Sequence, residues 1–201
     1  MLEIGCDGST PRHGPKLVVL TGGPGGGKTA VLEIARKHFE QRVVVLPEAA
    51  TIVFGGGFPR GASAAARRAA QRAIFHVQAE LERMAIEEGR AAVVLCDRGT
   101  VDGIAYWPDA PEAFWRALGT THDAEIAHYA TVIHLRTPPA DGGYDHSNGV
   151  RSESAQEAAR IDERIAAAWS RHPRRFFINS EKEFIAKAAH ALELISAEVP
   201  A

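Results

Sequence analysis

Short apolar runs alternate with longer amphipathic stretches along the chain. The runs are KLVVLTG (16–22), RVVVLPE (42–48), AAVVLCD (91–97), ATVIHLR (130–136) and RRFFIN (174–179). Near-continuous apolar runs of this length suit strands buried on both faces of a parallel sheet. The stretches between them carry helical spacing. Residues 28–40 follow a glycine-rich turn. Residues 63–88 put Ala66, Ala70, Ile74, Val77, Leu81 and Met84 on one face, and 153–171 do the same with Ala158, Ile161, Ile165, Ala168 and Trp169. Ser154 and Glu157 fit a capping box near the start of the latter helix. Residues 181–196 form a last amphipathic helix. Strand and helix alternate throughout, which predicts an α/β fold of three layers: a parallel sheet of five strands with helices on both faces.

Two stretches break this rhythm, FGGGFPRGAS (54–63) and TPPADGGYDHSNGVR (137–151), both rich in Gly, Pro, Asp and Ser. Irregular segments of this length in a small domain serve as binding loops or lids. The polar start, residues 1–15, is expected to be a flexible leader, with one domain over 16–201.

Composition narrows the function. The 201 residues are 45% hydrophobic and 24% charged, enough for one well-filled core. A net charge of −2 gives no general electrostatic case for nucleic acid or for an acidic membrane surface. The first residues lack the apolar core of a secretory signal, and no run is long enough to span a bilayer. Of the two cysteines, Cys6 lies in the leader and Cys96 ends an apolar run, so a reduced, cytoplasmic protein with one buried thiol is expected. The nine histidines show no H-x-x-x-H spacing and C-x-x-C is absent, so no structural metal is expected.

The chemistry starts at the first strand. Gly22 to Thr29 read G-x-x-x-x-G-K-T between that strand and a helix, the context a phosphate loop requires. Glycines at Gly23, Gly25, Gly26 and Gly27 let backbone N–H groups, with that of Ala30, approach an anion. The helix start adds partial positive charge. Lys28 is placed to reach the β and γ phosphates of a nucleotide, and Thr29 to ligate Mg²⁺.

Three further motifs point the same way. Asp97 ends the third strand, at the sheet edge where ligands bind, placed either to orient Mg²⁺ through water or to hold a substrate hydroxyl. Arg98 can fork onto phosphate oxygens. Glu48 follows the second strand on the same edge, where a carboxylate can accept the proton of an attacking hydroxyl. Arg151 closes the glycine-rich stretch 137–151, which has the composition of a phosphoryl-transfer lid. Arg160 and Arg164, beside Asp162 and Glu163, read as solvent-facing helix ion pairs. Phe54, Phe58, Phe75, Tyr106 and Trp107 are the aromatic candidates for an acceptor pocket, with a core role favoured for Phe75.

GGPGGGKT, PEAA, DRGTVDGIAY and DHSNGVR together resemble the NadR-type P-loop domains, often filed with the AAA ATPases and related to nucleoside and nucleotide kinases. The group includes nicotinamide riboside kinase domains and nucleotide-binding regulators. The resemblance runs from Leu17 to about Ile178. It implies a P-loop NTPase fold with strand order 2-3-1-4-5 and binding of ATP or GTP with Mg²⁺. Glu48 and Asp97 resemble the carboxylates of deoxynucleoside kinases that serve substrate activation and metal binding, and Arg98 their phosphate-contacting arginine. The chain departs from those kinases in carrying Asp97-Arg98-Gly99 where they often have Glu-Arg-Ser. The expected activity is transfer of a phosphoryl group from nucleotide to a hydroxyl of a nucleoside-like small molecule. A regulatory nucleotide-binding module is the alternative.

Overall fold

The computed structural model describes residues 14–137, 154–179 and 184–200. Most of the expected leader, most of the 137–151 stretch and Arg151 lie outside those residues.

All five expected strands form: β1 (Lys16–Thr21), β2 (Val43–Leu46), β3 (Val93–Asp97), β4 (Tyr129–Leu135) and β5 (Arg175–Ile178). They pair in parallel in the order β2-β3-β1-β4-β5, the order the resemblance implies. The pleat explains why the runs are continuously apolar. Leu17 and Val19 of β1 face one layer of helices while Val18 and Leu20 face the other; Val94 and Cys96 of β3 oppose Val93 and Leu95 in the same way.

Helices α1 (Lys28–Phe39), α2 (Ala49–Gly55), α3 (Ala64–Glu88), α4 (Pro111–Leu118), α5 (His122–Ala127), α6 (Ala155–Ala168) and α7 (Phe184–Ser196) flank the sheet. One face is covered by α1 and α7 through Val31, Leu32, Ala35, Ala188, Ala191 and Ile195. The other is covered by α3, α4 and α6 with a 3-10 helix over Thr100–Tyr106, around Phe75, Phe114, Ile161, Ile165 and Trp169. Phe114 packs edge-on against Trp107, Trp115 and Phe75 at centroid distances of 5.1, 4.8 and 6.4 Å. Trp107 thus belongs to the core. No helix of the described residues is long and apolar enough to cross a membrane.

The structure corrects the sequence pattern in three places. First, α2, α4 and α5 were not marked by periodicity, being only 7, 8 and 6 residues long. Second, the buried side of α3 runs through Ala70, Gln71, Phe75, Gln78, Glu82 and Ala85, while Met84 is exposed. Polar members of that stripe disguise it: Gln78 donates to Glu82 at 2.8 Å, and Glu82 also accepts from the Tyr129 hydroxyl at 2.9 Å. Burial raises the Glu82 pKa to about 7, against the pull of those two hydrogen bonds. Third, Ser154 caps α6 by accepting from the Glu157 amide at 3.2 Å, but the Glu157 carboxylate lies 3.8 Å from Arg160. Cys96 is a buried free thiol, as expected.

Asp102, in the 3-10 helix, joins the layers. It is buried and accepts from Thr21 Oγ1 at 2.8 Å, Trp169 Nε1 at 2.6 Å and the Gly99 amide at 3.3 Å. One carboxylate therefore ties the end of β1 to the end of α6. The Trp169→Phe variant should lose about 3 kcal/mol of stability, because a charged acceptor loses a buried donor. Urea denaturation checks this, and a midpoint unchanged from wild type would contradict the linkage.

Candidate functional site

The glycine loop leaves β1 and folds over the end of β4. Gly22, Gly25 and Gly27 have positive φ angles of 130°, 82° and 87°. A Cβ at Gly22 would stand 2.1 Å from the Leu135 carbonyl oxygen, and one at Gly26 would stand 2.7 Å from the same atom. Contact, as much as dihedral freedom, thus requires glycine here. The loop is also held from α6: the Gly23 amide donates to Asp162 Oδ1 at 2.7 Å. Asp162 is buried, accepts from His134 Nε2 and from Arg136 at 2.9 Å each, and lies well below the ordinary carboxylate range. Burial opposes that shift, and the His134, Arg136 and Gly23 hydrogen bonds overcome it.

Lys28 opens α1. Its ammonium is buried and folds back on the loop, donating to the Gly22 and Gly23 carbonyls at 3.0 and 2.9 Å. Burial, with the nearby Arg98 charge, lowers its pKa to about 7; Asp97, Glu48 and Asp102 resist. Thr29 and Ala30 follow on the exposed side of the helix start.

The register of β1 with β3 sets Leu20 beside Asp97, so Asp97 projects at the edge where the loop begins. Its pKa rises to about 6, through burial first, with Lys28 opposing and Glu48 adding. Asp97 Oδ1 is buried without a hydrogen-bond partner among the described residues. Arg98 has a positive φ of 72°, unusual for a side chain of this size. Its Nε donates to Glu48 Oε1 at 2.8 Å, while Nη1, 3.9 Å from Asp102, has no hydrogen-bond partner among the described residues. Glu48 precedes α2 and also accepts from Thr51 Oγ1 at 2.7 Å. Burial would raise its pKa, but Arg98 and Thr51 keep it below the ordinary value.

Lys28, Thr29, Glu48, Asp97 and Arg98 line a single open cavity of about 780 Å³. One hydroxyl, one carboxylate with an orphaned buried oxygen and space for phosphates are the donor set Mg²⁺ takes, since it keeps most of its ligands as water and phosphate oxygen. Thr29 and Asp97 therefore fit the ion. The cavity continues past the loop to Phe54, Gln71, Phe75, Gln78 and Tyr106. Phe58 and Trp107 do not line it. Arg164, read from sequence as a solvent-facing ion-pair partner, is exposed but has no ion pair among the described residues; it lines the cavity and donates to the Ala105 carbonyl at 3.4 Å. Asp162, its supposed surface neighbour, is the loop clamp. Sequence reasoning missed Asp102, Asp162, Gln71 and Gln78. Only Asp102 had a signal, lying one helical turn beyond Arg98 inside DRGTVDGIAY.

A family model described as an AAA domain matches residues 17–184. No curated protein matches the sequence. Among solved structures, the chain is similar to thymidylate kinase from Ehrlichia chaffeensis, with TM-score 0.60 and 15% identity over 92% of this chain and 99% of that one. It is similar also to thymidylate kinase from Candida albicans, with TM-score 0.64 and 12% identity over 92% of each chain. The fold is thus a three-layer P-loop fold shared with nucleotide kinases.

Phosphate oxygens bind the ammonium form of lysine, and burial lowers the Lys28 pKa to about 7. Affinity for a nucleotide held by Lys28 should be highest between about pH 6, where Asp97 ionises, and about pH 7. Above it, affinity should fall by up to about tenfold per pH unit as binding takes up a proton. Calorimetry at about pH 8 in two buffers of different ionisation heat measures that proton. Identical heats and a flat affinity profile would contradict the lysine's assignment.

Proposed function

The chain belongs to the AAA domain family, and from that premise we propose that it is a P-loop kinase. It moves the γ-phosphoryl group of ATP, or of GTP, to a hydroxyl of a nucleoside-like small molecule. The observation that carries this reading is the shape of the cavity. The loop lysine and an aromatic chamber with Phe54 and Tyr106 share one space, large enough for a second ligand beside the phosphates.

In this reading the backbone amides of Gly23, Gly25, Gly26, Gly27, Lys28, Thr29 and Ala30 surround the nucleotide phosphates. Lys28 leaves its two carbonyl partners for the β and γ oxygens. Mg²⁺, held by Thr29 and Asp97, would neutralise charge on those oxygens. Arg98 Nη1, which has no hydrogen-bond partner among the described residues, would donate to the transferred group. Glu48, ionised and fixed by Arg98 and Thr51, accepts a hydrogen bond from the acceptor hydroxyl and then its proton. A carboxylate of low basicity suffices, because bond formation to the acceptor is slight in a loose phosphoryl-transfer transition state. The new acceptor O–P bond forms as the bond to the β-phosphate oxygen breaks, and ADP leaves with the electron pair. The lid role of 137–151, with Arg151 meeting the transferred group, rests on sequence alone.

A ³¹P NMR screen of nucleosides and their 5′-monophosphates with MgATP, nicotinamide riboside included for the NadR-type resemblance, tests the reading directly. Product formation is expected, and Lys28→Ala should abolish it. Glu48→Gln should lower kcat by about 100-fold with little change in ATP affinity. Asp97→Asn should raise the Mg²⁺ concentration needed for half-maximal rate. ATP binding without any phosphorylated product would replace the kinase with the regulatory nucleotide-binding module.

A further inference from the structure

The charges lining the cavity fall into two groups. At the loop end Lys28 and Arg98 stand among Glu48, Asp97 and Asp102, which are close enough to shift the lysine's titration and largely balance the two cations. The remaining charged lining residues are Arg60, Arg67, Arg164 and Glu157. Glu157 lies 3.8 Å from Arg160, which is not part of the lining. That leaves three guanidinium groups without an ion pair among the described residues. Their partners are neutral. Arg60 sits over the Phe54 ring, 4.4 Å from its centroid, and Arg164 donates to the Ala105 carbonyl.

Solvated arginines on a convex surface need no partner. These three are exposed, come from separate elements, the loop before α3, the first turn of α3 and the third turn of α6, and all line one concave space. Like charges gathered in a cleft repel each other and focus a positive potential that draws an anion. A neutral nucleoside would leave all three uncompensated. A carboxylate supplies one negative charge, whereas a phosphomonoester supplies close to two and offers the oxygens that guanidinium forks match.

We infer that the acceptor enters this cavity already bearing a phosphomonoester, which Arg60, Arg67 and Arg164 recognise. The substrate class is then a nucleoside monophosphate, held by its phosphate while a sugar hydroxyl accepts the transferred group, in place of an unphosphorylated nucleoside. The inference rests on the kinase reading for the word acceptor, but its test reads binding and not turnover.

The experiment is calorimetry with Mg²⁺ and a non-hydrolysable ATP analogue at saturation, so that the phosphate loop is already filled. The probes are matched pairs: thymidine, adenosine, guanosine, cytidine, uridine and nicotinamide riboside, each against its 5′-monophosphate. At least one monophosphate should bind about tenfold or more tightly than its nucleoside. That preference should shrink by about tenfold in Arg67→Gln. It should survive in Arg72→Gln, which removes the same charge from an exposed position on α3 that does not line the cavity. Equal or tighter binding of every nucleoside overturns the inference and leaves the kinase reading standing. So does failure of all twelve probes to bind, or a preference unchanged in Arg60→Gln, Arg67→Gln and Arg164→Gln alike. If a monophosphate binds with the expected arginine dependence but is never phosphorylated, the recognition holds and the kinase reading fails.

Discussion

The glycine loop rests directly on the backbone of β4. With a Cβ at Gly22 denied by the Leu135 carbonyl at 2.1 Å, the loop has one path across the sheet edge. That path fixes where α1 begins, and so where Lys28 projects. It brings the ammonium against the two carbonyls of its own loop and within the field of Asp97, Glu48 and Arg98. The perturbed titration of Lys28 and Asp97, the orphaned oxygen of Asp97 and the unused Nη1 of Arg98 all follow from packing several charges into one desolvated corner. Such an arrangement is costly for a protein on its own. A polyanion with its metal would satisfy the groups the protein leaves unpaired.

Around that corner the fold supplies two carboxylates that fix geometry without lining up for chemistry in the same way. Asp102 ties β1 to α6 through Thr21 and Trp169. Asp162 ties the loop to β4 through Gly23, His134 and Arg136. Both clamps end on α6, which also carries Arg164 into the cavity. Loop, cavity and helix are thus tied to one another.

Features set by local pattern were legible in the sequence. The five strands announced themselves because burial on both faces makes them apolar throughout, and the phosphate loop because its conformation demands glycine at fixed offsets. That Glu48, Asp97 and Arg98 would meet in one cavity was legible because strand ends in this topology share one edge. The buried polar stripe of α3 was not, because Gln71, Gln78 and Glu82 look like surface residues until the cavity and Tyr129 are placed beside them. Asp162 was misread for the same reason: among Arg160, Glu163 and Arg164 it passes for one more solvated charge. The partners that bury it, Gly23 and His134, lie far away along the chain. Short helices such as α4 and α5 contain too few turns for a period to register.

The clamp on the loop also has a dimension in time. The Gly23 amide and the Asp162 carboxylate are separated by 139 residues. On a ribosome the glycine loop emerges early, and everything that shapes it arrives late: Leu135 with the fourth strand, Asp162 with the sixth helix. Closing so long a loop is slow compared with forming α1 or α3. The nascent chain therefore carries this segment through the next 139 residues of synthesis before the carboxylate that clamps it exists. The loop's conformation thus waits on the docking of the sixth helix.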